Sequence, residues 1–183
     1  MSDYENAAQE ELIRRAKRGD VKAFSRLYAQ IYKELYRFAL YMTKHPQDAE
    51  DAVSEAVISA FENMCSLRKE ESFRSWMFTI LHNQCKKIMR LEQRERERLT
   101  EAGIHERAVE PDYAQWHDVR RAFDALDEGE RTIVAFSVFG GYKSEEIARM
   151  LDKNAATVRS RKSRALEKVG GQAVLGRQNL YST

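Results

Sequence analysis

The sequence predicts an all-α protein of two small helical domains joined by a flexible linker, the second domain containing a helix-turn-helix. Three observations carry that expectation. Apolar residues recur at spacings of three and four nearly everywhere, and the short alternating runs that mark strands are missing. The 183 residues include only two prolines, Pro46 and Pro111, and eight glycines that sit mainly between the periodic stretches. The periodicity lapses at length once, between Arg90 and Pro111, and then returns.

Each element follows from its local residues. A first helix is expected from about Asn6 to Arg18, stopping at Gly19-Asp20. A second starts there, with Ala23, Phe24, Leu27, Tyr28, Ile31 and Leu35 as an apolar stripe continuing through Phe38. "KHPQDAED", Lys44 to Asp51, reads as a turn and an acidic helix start, where carboxylates suit the positive end of the helix dipole. That third helix runs to about Cys65, and "SLRKEES", Ser66 to Ser72, breaks the pattern as a loop. A long fourth helix begins near Phe73 and fades into the charged stretch from Arg90 to Pro111, read as a solvated helix end followed by a linker. Beyond Pro111 come Val119, Phe123 and Leu126, then Ile133, Phe136 and Phe139, then Ile147, Met150 and Leu151. The expected division is a domain over 1–92, a linker over 93–112, a domain over 113–172 and a tail over 173–183.

Composition narrows the class. Hydrophobic residues are 43% and charged residues 33%, which suits amphipathic helices with heavily solvated faces. The 31 basic and 29 acidic residues nearly cancel, so the placement of each sign carries the information that the net charge of +2 hides. Cys65 and Cys85 form no disulfide framework and no CxxC pattern, which points to reduced, structural thiols. Met1-Ser2-Asp3-Tyr4-Glu5 lacks the pattern of a secretory signal, and no apolar run approaches the ~20 residues that span a bilayer. A cytoplasmic protein without membrane insertion is expected.

The strongest local signal is "SEEIARMLDKNAATVRSRKSRALEKV", Ser144 to Val169. Ser144 can cap a short helix over Glu145 to Leu151, with Ile147, Ala148 and Leu151 inward. Asp152-Lys153-Asn154 makes a turn, and Asn154 can cap the next helix. On that helix Val158, Ala165 and Val169 share the packing face, while Thr157, Ser160 and Arg164 share another. Arg159, Arg161 and Lys162 lie around its N-terminal half, with Lys168 further along. Small polar side chains admit close approach to base edges, and long guanidinium arms reach guanine or flanking phosphate. A solvated bundle helix is the plainer alternative, but short helix, tight turn and basic second helix together favour a groove-inserted pair.

Two helices of the first half have unusual faces. From Asp48 to Met64, one side carries Ala49, Ala52, Val53, Ala56, Val57 and Ala60, and a stripe roughly 150° away carries Asp48, Asp51, Glu55 and Glu62. Aligned acid repels DNA and suits a basic protein partner, or simply water; spacing alone leaves both open. From Phe73 to Arg90, Met77, Ile80, Leu81 and Ile88 supply the core side, and Asn83, Lys86, Lys87 and Arg90 lie together elsewhere with Trp76 near Asn83. An amide, an aromatic edge and basic residues can hold unstacked bases. Taken alone, Trp76 reads first as a half-buried core residue. The neighbouring loop Leu67-Arg68-Lys69-Glu70 could contribute a pocket for an extruded base.

At this point the chain resembles the bacterial extracytoplasmic-function sigma factors, the two-domain promoter-recognition subunits of RNA polymerase. "RGDVKAFSRLY" (Arg18 to Tyr28), "DAEDAVSEAVISAF" (Asp48 to Phe61) and "SFRSWMFTILHN" (Ser72 to Asn83) stand in the family's order, followed by "EEIARML" and "TVRSRKSRAL" (Thr157 to Leu166). The resemblance implies that Asp48, Glu50, Asp51 and Glu55 dock on the polymerase clamp coiled coil. It implies that Leu67, Arg68 and Lys69, with Trp76, Asn83, Lys86, Lys87 and Arg90, read a melted minus-ten element. It implies that Thr157, Arg159, Ser160, Arg161 and Arg164 read the minus-thirty-five element. The implied partners are core RNA polymerase, through its clamp coiled coil and flap, and promoter DNA, with an anti-sigma factor as a further candidate. No cofactor, metal or catalytic residue is implied.

The sequence also departs from the family pattern. An aromatic-Arg-Gly is common where Leu67-Arg68-Lys69 stands, an acidic residue is usual within Gln84-Cys85-Lys86-Lys87, a Leu-Pro often stands near Asp127-Glu128, and the turn Asp152-Lys153-Asn154 lacks the expected glycine. A stand-alone helix-turn-helix regulator is the rival reading, and the aligned acid argues against it. An enzyme is a poorer one: His45, His82, His105 and His117 are scattered, and no Gly-rich phosphate loop is present.

Overall fold

A computed structural model describes residues 2–69, 72–101 and 125–179. Helix α1 spans Ser2–Lys17 and ends where Gly19 takes φ +87°, a left-handed conformation that costs a residue without a Cβ little. Asp20 then caps helix α2, Val21–Thr43: its Oδ1 accepts from the Ala23 N–H at 3.0 Å and its Oδ2 from Arg15 Nη2 at 2.6 Å. The Ala23 N–H, and after it the Arg15 guanidinium, hold the Asp20 carboxyl below its ordinary pKa. Lys44, at φ +64°, terminates α2 by donating its N–H to the Leu40 carbonyl. Pro46 opens helix α3, Pro46–Glu62, in the first turn, where a missing N–H costs nothing.

After α3 a 3-10 turn, Met64–Ser66, leads towards helix α4, Phe73–Glu101. The core of this half is Phe24, Leu27, Leu35, Phe38, Met42, Met77, Phe78 and Leu81, all buried, with the alanines of α3 against them. Alanine on the inner side of α3 lets helices pack closely, and every one of Ala49, Ala52, Ala56 and Ala60 is buried. Tyr28 is only half-buried, because it starts a ladder of edge-on and stacked rings with Tyr32 and Tyr36 along the outside of α2. On α4 the buried side is Phe73, Met77, Phe78, Leu81, His82 and Cys85, so Ile80 and Ile88 sit at the margins and not in the core as expected. Phe78 closes edge-on over Phe38, which fixes the rotation of the helix.

Helix α4 runs nine residues into the segment expected to be linker, 93–101. No core stripe supports it there. Local pairs do: Gln93 with Glu97 at 3.0 Å, Arg98 with Glu95 at 2.9 Å and Arg96 with Glu92 at 3.9 Å, each of roughly 0.2–0.5 kcal/mol at these spacings. The rest of the expected linker, together with Val119 and Phe123 of the expected second domain, lies outside the described residues.

The chain divides into two compact units, Met1–Leu91 and Glu92–Thr183. In the second, helix α5, Glu128–Val138, opens with a capping box: Asp127 Oδ1 accepts from the Glu130 N–H at 2.8 Å, and Glu130 Oε2 accepts from the Asp127 N–H at 3.1 Å. Asp127-Glu128, which stood in place of a Leu-Pro, thus starts the helix by hydrogen bonding. Helices α6, Ser144–Met150, and α7, Ala155–Asn179, follow it. Leu126, Ile133, Val134, Phe136, Ile147, Val158 and Ala165 are the buried core of this unit.

His82 is 8% exposed, and burial, reinforced by the Lys86 charge, pushes its pKa down to about 4. The unfolded chain would bind a proton near the ordinary value of 6.5, so the folded state binds fewer protons between these limits. Stability contributed by neutral His82 is therefore complete above pH 6.5 and lost as pH falls towards 4, by about 1.4 kcal/mol per unit. Denaturant titrations from pH 7 to 4 should show a shallower pH slope in a His82→Gln variant. Parallel slopes in the two proteins would refute a buried neutral imidazole. Cys85 is buried too, and burial pushes its thiol up to about 12, which makes it inert at neutral pH. Cys65 is exposed, with its thiol donating to the Lys17 carbonyl at 3.3 Å.

Candidate nucleic-acid and protein interfaces

Helix α3 turns its alanines inward, so by rotation alone its acids turn out. Glu50, Asp51, Glu55 and Glu62 are exposed and Asp48 is half-exposed, with His45 Nδ1 at 3.7 Å. No ion pair joins Glu50, Asp51, Glu55 or Glu62 to another described residue. Carboxylates at this spacing repel one another, so the stripe stands as an unneutralised surface. Sequence reasoning missed Ile58, which lies seven positions after Asp51 and three after Glu55 and is 53% exposed. An apolar residue at the third-position step of an otherwise acidic stripe was the available signal.

The loop after α3 divides its residues. Leu67 is 3% exposed: it leaves the 3-10 turn in an extended conformation with its side chain in the core. Of the three loop residues expected to read the minus-ten element, Leu67 is thus buried, while Arg68 and Lys69 present side chains to solvent. Glu70 lies outside the described residues.

On α4, Trp76, Asn83, Lys87 and Arg90 follow at steps of seven, four and three, which is one continuous stripe. Asn83, Lys87 and Arg90 are exposed, whereas Trp76 is half-buried with its ring tilted against Phe73 at 6.4 Å. The tryptophan thus packs one part on the core and shows the other on the stripe. Lys86 sits apart, half-buried on the His82 side.

The α6–α7 corner is a tight helix-turn-helix. Asp152 takes φ +50° in the turn that lacks the expected glycine, and aspartate tolerates that left-handed position better than most residues. The Lys153 N–H reaches back to the Ala148 carbonyl at 2.8 Å. Asn154 starts α7, its Oδ1 accepting from the Ala156 N–H at 2.8 Å. Ser144 does not cap α6: the helix begins with it, and Glu146 accepts from the Lys143 N–H at 2.7 Å instead. Val158 and Ala165 are buried, and Val169 packs on the cluster of Leu126, Val134 and Ala165.

This packing leaves Thr157, Arg159, Ser160 and Arg164 exposed. Arg161 leaves the group: it is half-buried, and its Nη1 lies only 2.7 Å from where a Cβ on Gly129 would be. It follows Val158 by three positions, so it borders the packing face and leans on the first turn of α5. Further along, Lys168 Nζ meets both carboxylate oxygens of Glu130 at 2.7 and 2.8 Å, which ties α7 to the α5 capping box. Neither Glu130 nor Glu145, which holds Arg159, was legible in local periodicity, since each partner lies far away in sequence.

Among the described residues no cluster of three His, Cys, Asp or Glu could hold a metal ion, and no helix is long and apolar enough to cross a membrane. Residues 27–95 match the family described as Sigma-70 region 2, and residues 116–169 match Sigma-70, region 4. The chain is similar to the ECF RNA polymerase sigma factor SigM of Mycobacterium tuberculosis, 30% identical over 157 residues that cover 80% of this chain and 75% of that one. It is 26% identical to the ECF RNA polymerase sigma-E factor of Escherichia coli, over 90% of this chain and 94% of that one. Among solved structures it is similar to the sigma factor RpoE of Bartonella quintana, in complex with the anti-sigma factor NepR. That match has a TM-score of 0.70 and 25% identity, and covers 83% of this chain and 97% of that one.

Proposed function

Because the chain belongs to the sigma-70 family, in its extracytoplasmic-function group, it directs transcription initiation by RNA polymerase, and we propose how its surfaces divide that work. The acid stripe of α3, Asp48, Glu50, Asp51 and Glu55, docks on a basic coiled coil of core polymerase, with Ile58 as an apolar anchor among the charges. The observation that carries this is that Glu50, Asp51 and Glu55 are exposed and meet no cation among the described residues, since such a surface favours a basic partner and repels DNA. The Trp76, Asn83, Lys87 and Arg90 stripe, with Lys86, Arg68 and Lys69 near it in sequence, holds the melted minus-ten strand. Helix α7 enters the minus-thirty-five major groove with Thr157, Arg159, Ser160 and Arg164. The domain carrying α7 also meets the polymerase flap.

On this reading the factor performs no chemistry. Phosphate contacts position it and base contacts select the site. Grip on a single strand offsets the cost of opening the duplex, and two tethered modules raise each other's effective concentration. It works in the cytoplasm, where the polymerase is. The relative captured with an anti-sigma factor supports the inference that this chain, too, is a target for one.

Arg164→Ala should weaken holoenzyme binding to the cognate upstream element by about 1–3 kcal/mol. Competition between intact and scrambled upstream sequences measures this, and an equal loss on both would make Arg164 a phosphate contact only. The experiment that tests the whole reading is run-off transcription with purified core polymerase on a randomised promoter library. Enrichment of two spaced elements is expected, and no enrichment would defeat it. A stand-alone regulator would instead bind a specific duplex without polymerase.

A further inference from the structure

Arg159 does not project freely from α7. Its Nη1 donates to Glu145 Oε1 at 2.7 Å, across fourteen residues and from the other helix of the corner. Both side chains are more than half exposed, so the pair lies on the surface and not in the core. Glu145 is itself well placed, because Ile147 and Ala148 bury α6 and Glu146 caps its start. The Glu145 backbone N–H, and after it the Arg159 guanidinium, hold the Glu145 carboxyl below its ordinary pKa, so it is ionised at neutral pH.

We propose that Glu145 is a positioning residue for base readout: it fixes the Arg159 guanidinium and cancels its charge, making Arg159 a reader of base edges and not an anchor for phosphate. This rests on the reading that α7 enters the groove. A guanidinium has five N–H donors, so one bond to Glu145 leaves an edge free for a paired acceptor such as guanine O6 and N7. An untethered arginine beside a duplex goes first to phosphate, which is dense and tolerant of geometry. A carboxylate beside that arginine lowers the local attraction for phosphate while leaving the directional donors in place. Holding the side chain beforehand also removes part of the ordering cost at binding. Arg164 contrasts with it: its Nε reaches only its own helix, at the Ser160 carbonyl, 3.4 Å away.

The test compares holoenzyme binding to promoter fragments with intact and scrambled upstream elements, at two salt concentrations. Glu145→Ala should lower discrimination about three- to tenfold, mainly by tightening binding to scrambled DNA, and should steepen the salt dependence. Glu145→Gln keeps an acceptor oxygen and should restore part of the discrimination without restoring the salt slope. In an Arg159→Ala background, Glu145→Ala should cause no further loss of discrimination. Matching thermal melts would confirm that these exposed substitutions leave the fold intact. Unchanged discrimination in Glu145→Ala, alongside a loss in Arg159→Ala, overturns the positioning role and spares the groove reading. If Arg159→Ala and Arg164→Ala both leave discrimination unchanged, the groove reading fails and this proposal with it.

Discussion

Reversing Asp51 and Glu55 together to lysine should abolish binding to core polymerase while leaving the chain folded. Both carboxylates are exposed, and neither is paired with another described residue, so the substitutions break no internal contact. Surface changes of this kind usually move stability by less than about 0.5 kcal/mol, and lysine is as good a helix former as glutamate. On a basic partner surface the effect is much larger. Two attractions are lost and two repulsions gained, and like charges brought together across an interface cost several kcal/mol. Co-purification with core polymerase, beside a thermal melt of the isolated chain, separates docking from folding. Normal co-purification of the double variant would remove α3 from the interface. Ile58→Asp in the same assay asks whether the apolar residue in the stripe contributes, and weaker binding is expected.

The largest loss of stability should come from Phe38→Ala. Phe38 has no exposed surface and meets Phe78 edge-on, with ring centroids 5.5 Å apart and planes at 87°. Truncating a buried phenylalanine costs about 3–5 kcal/mol, because the lost transfer energy is joined by a cavity that the surroundings only partly fill. A domain of this size has about 5–15 kcal/mol in total, so most of its margin would go. Phe38→Leu keeps most of the volume and should cost much less. Denaturant unfolding should show the first unit melting early and the second unmoved, because Leu126, Val134, Phe136 and Ala165 form a core of their own. A change below about 1 kcal/mol would mean that Phe38 does not organise the first core.

Local chemistry made much of this protein legible in advance. Gly19-Asp20 as a stop and start, Pro46 as an opening residue and Asn154 as a cap are decisions taken within three or four residues, by φ preference and by which side chain can reach a free N–H. The inward alanines of α3 and the outward acids beside them follow from helical rotation alone. The same logic failed wherever a residue's fate depended on something distant. Nothing near Leu67 says that it will leave the 3-10 turn with its side chain in the core. Nothing near Arg161 says that Gly129 leaves it room, and Ser144 lost the capping role to a bond made by Glu146.

What the sequence determined by itself is the set of helices, their apolar faces and the sorting of acid from base, because each depends on a repeat of three or four residues that the backbone imposes. Tertiary structure alone decided which charged groups remain available. Arg159 meets Glu145, and Lys168 meets Glu130, only after separate helices pack, since a hydrogen bond needs its partners within about 3 Å and chain distance does not report that. Of the basic residues on α7, packing left Arg159 and Arg164 facing out and turned Arg161 and Lys168 towards their own domain.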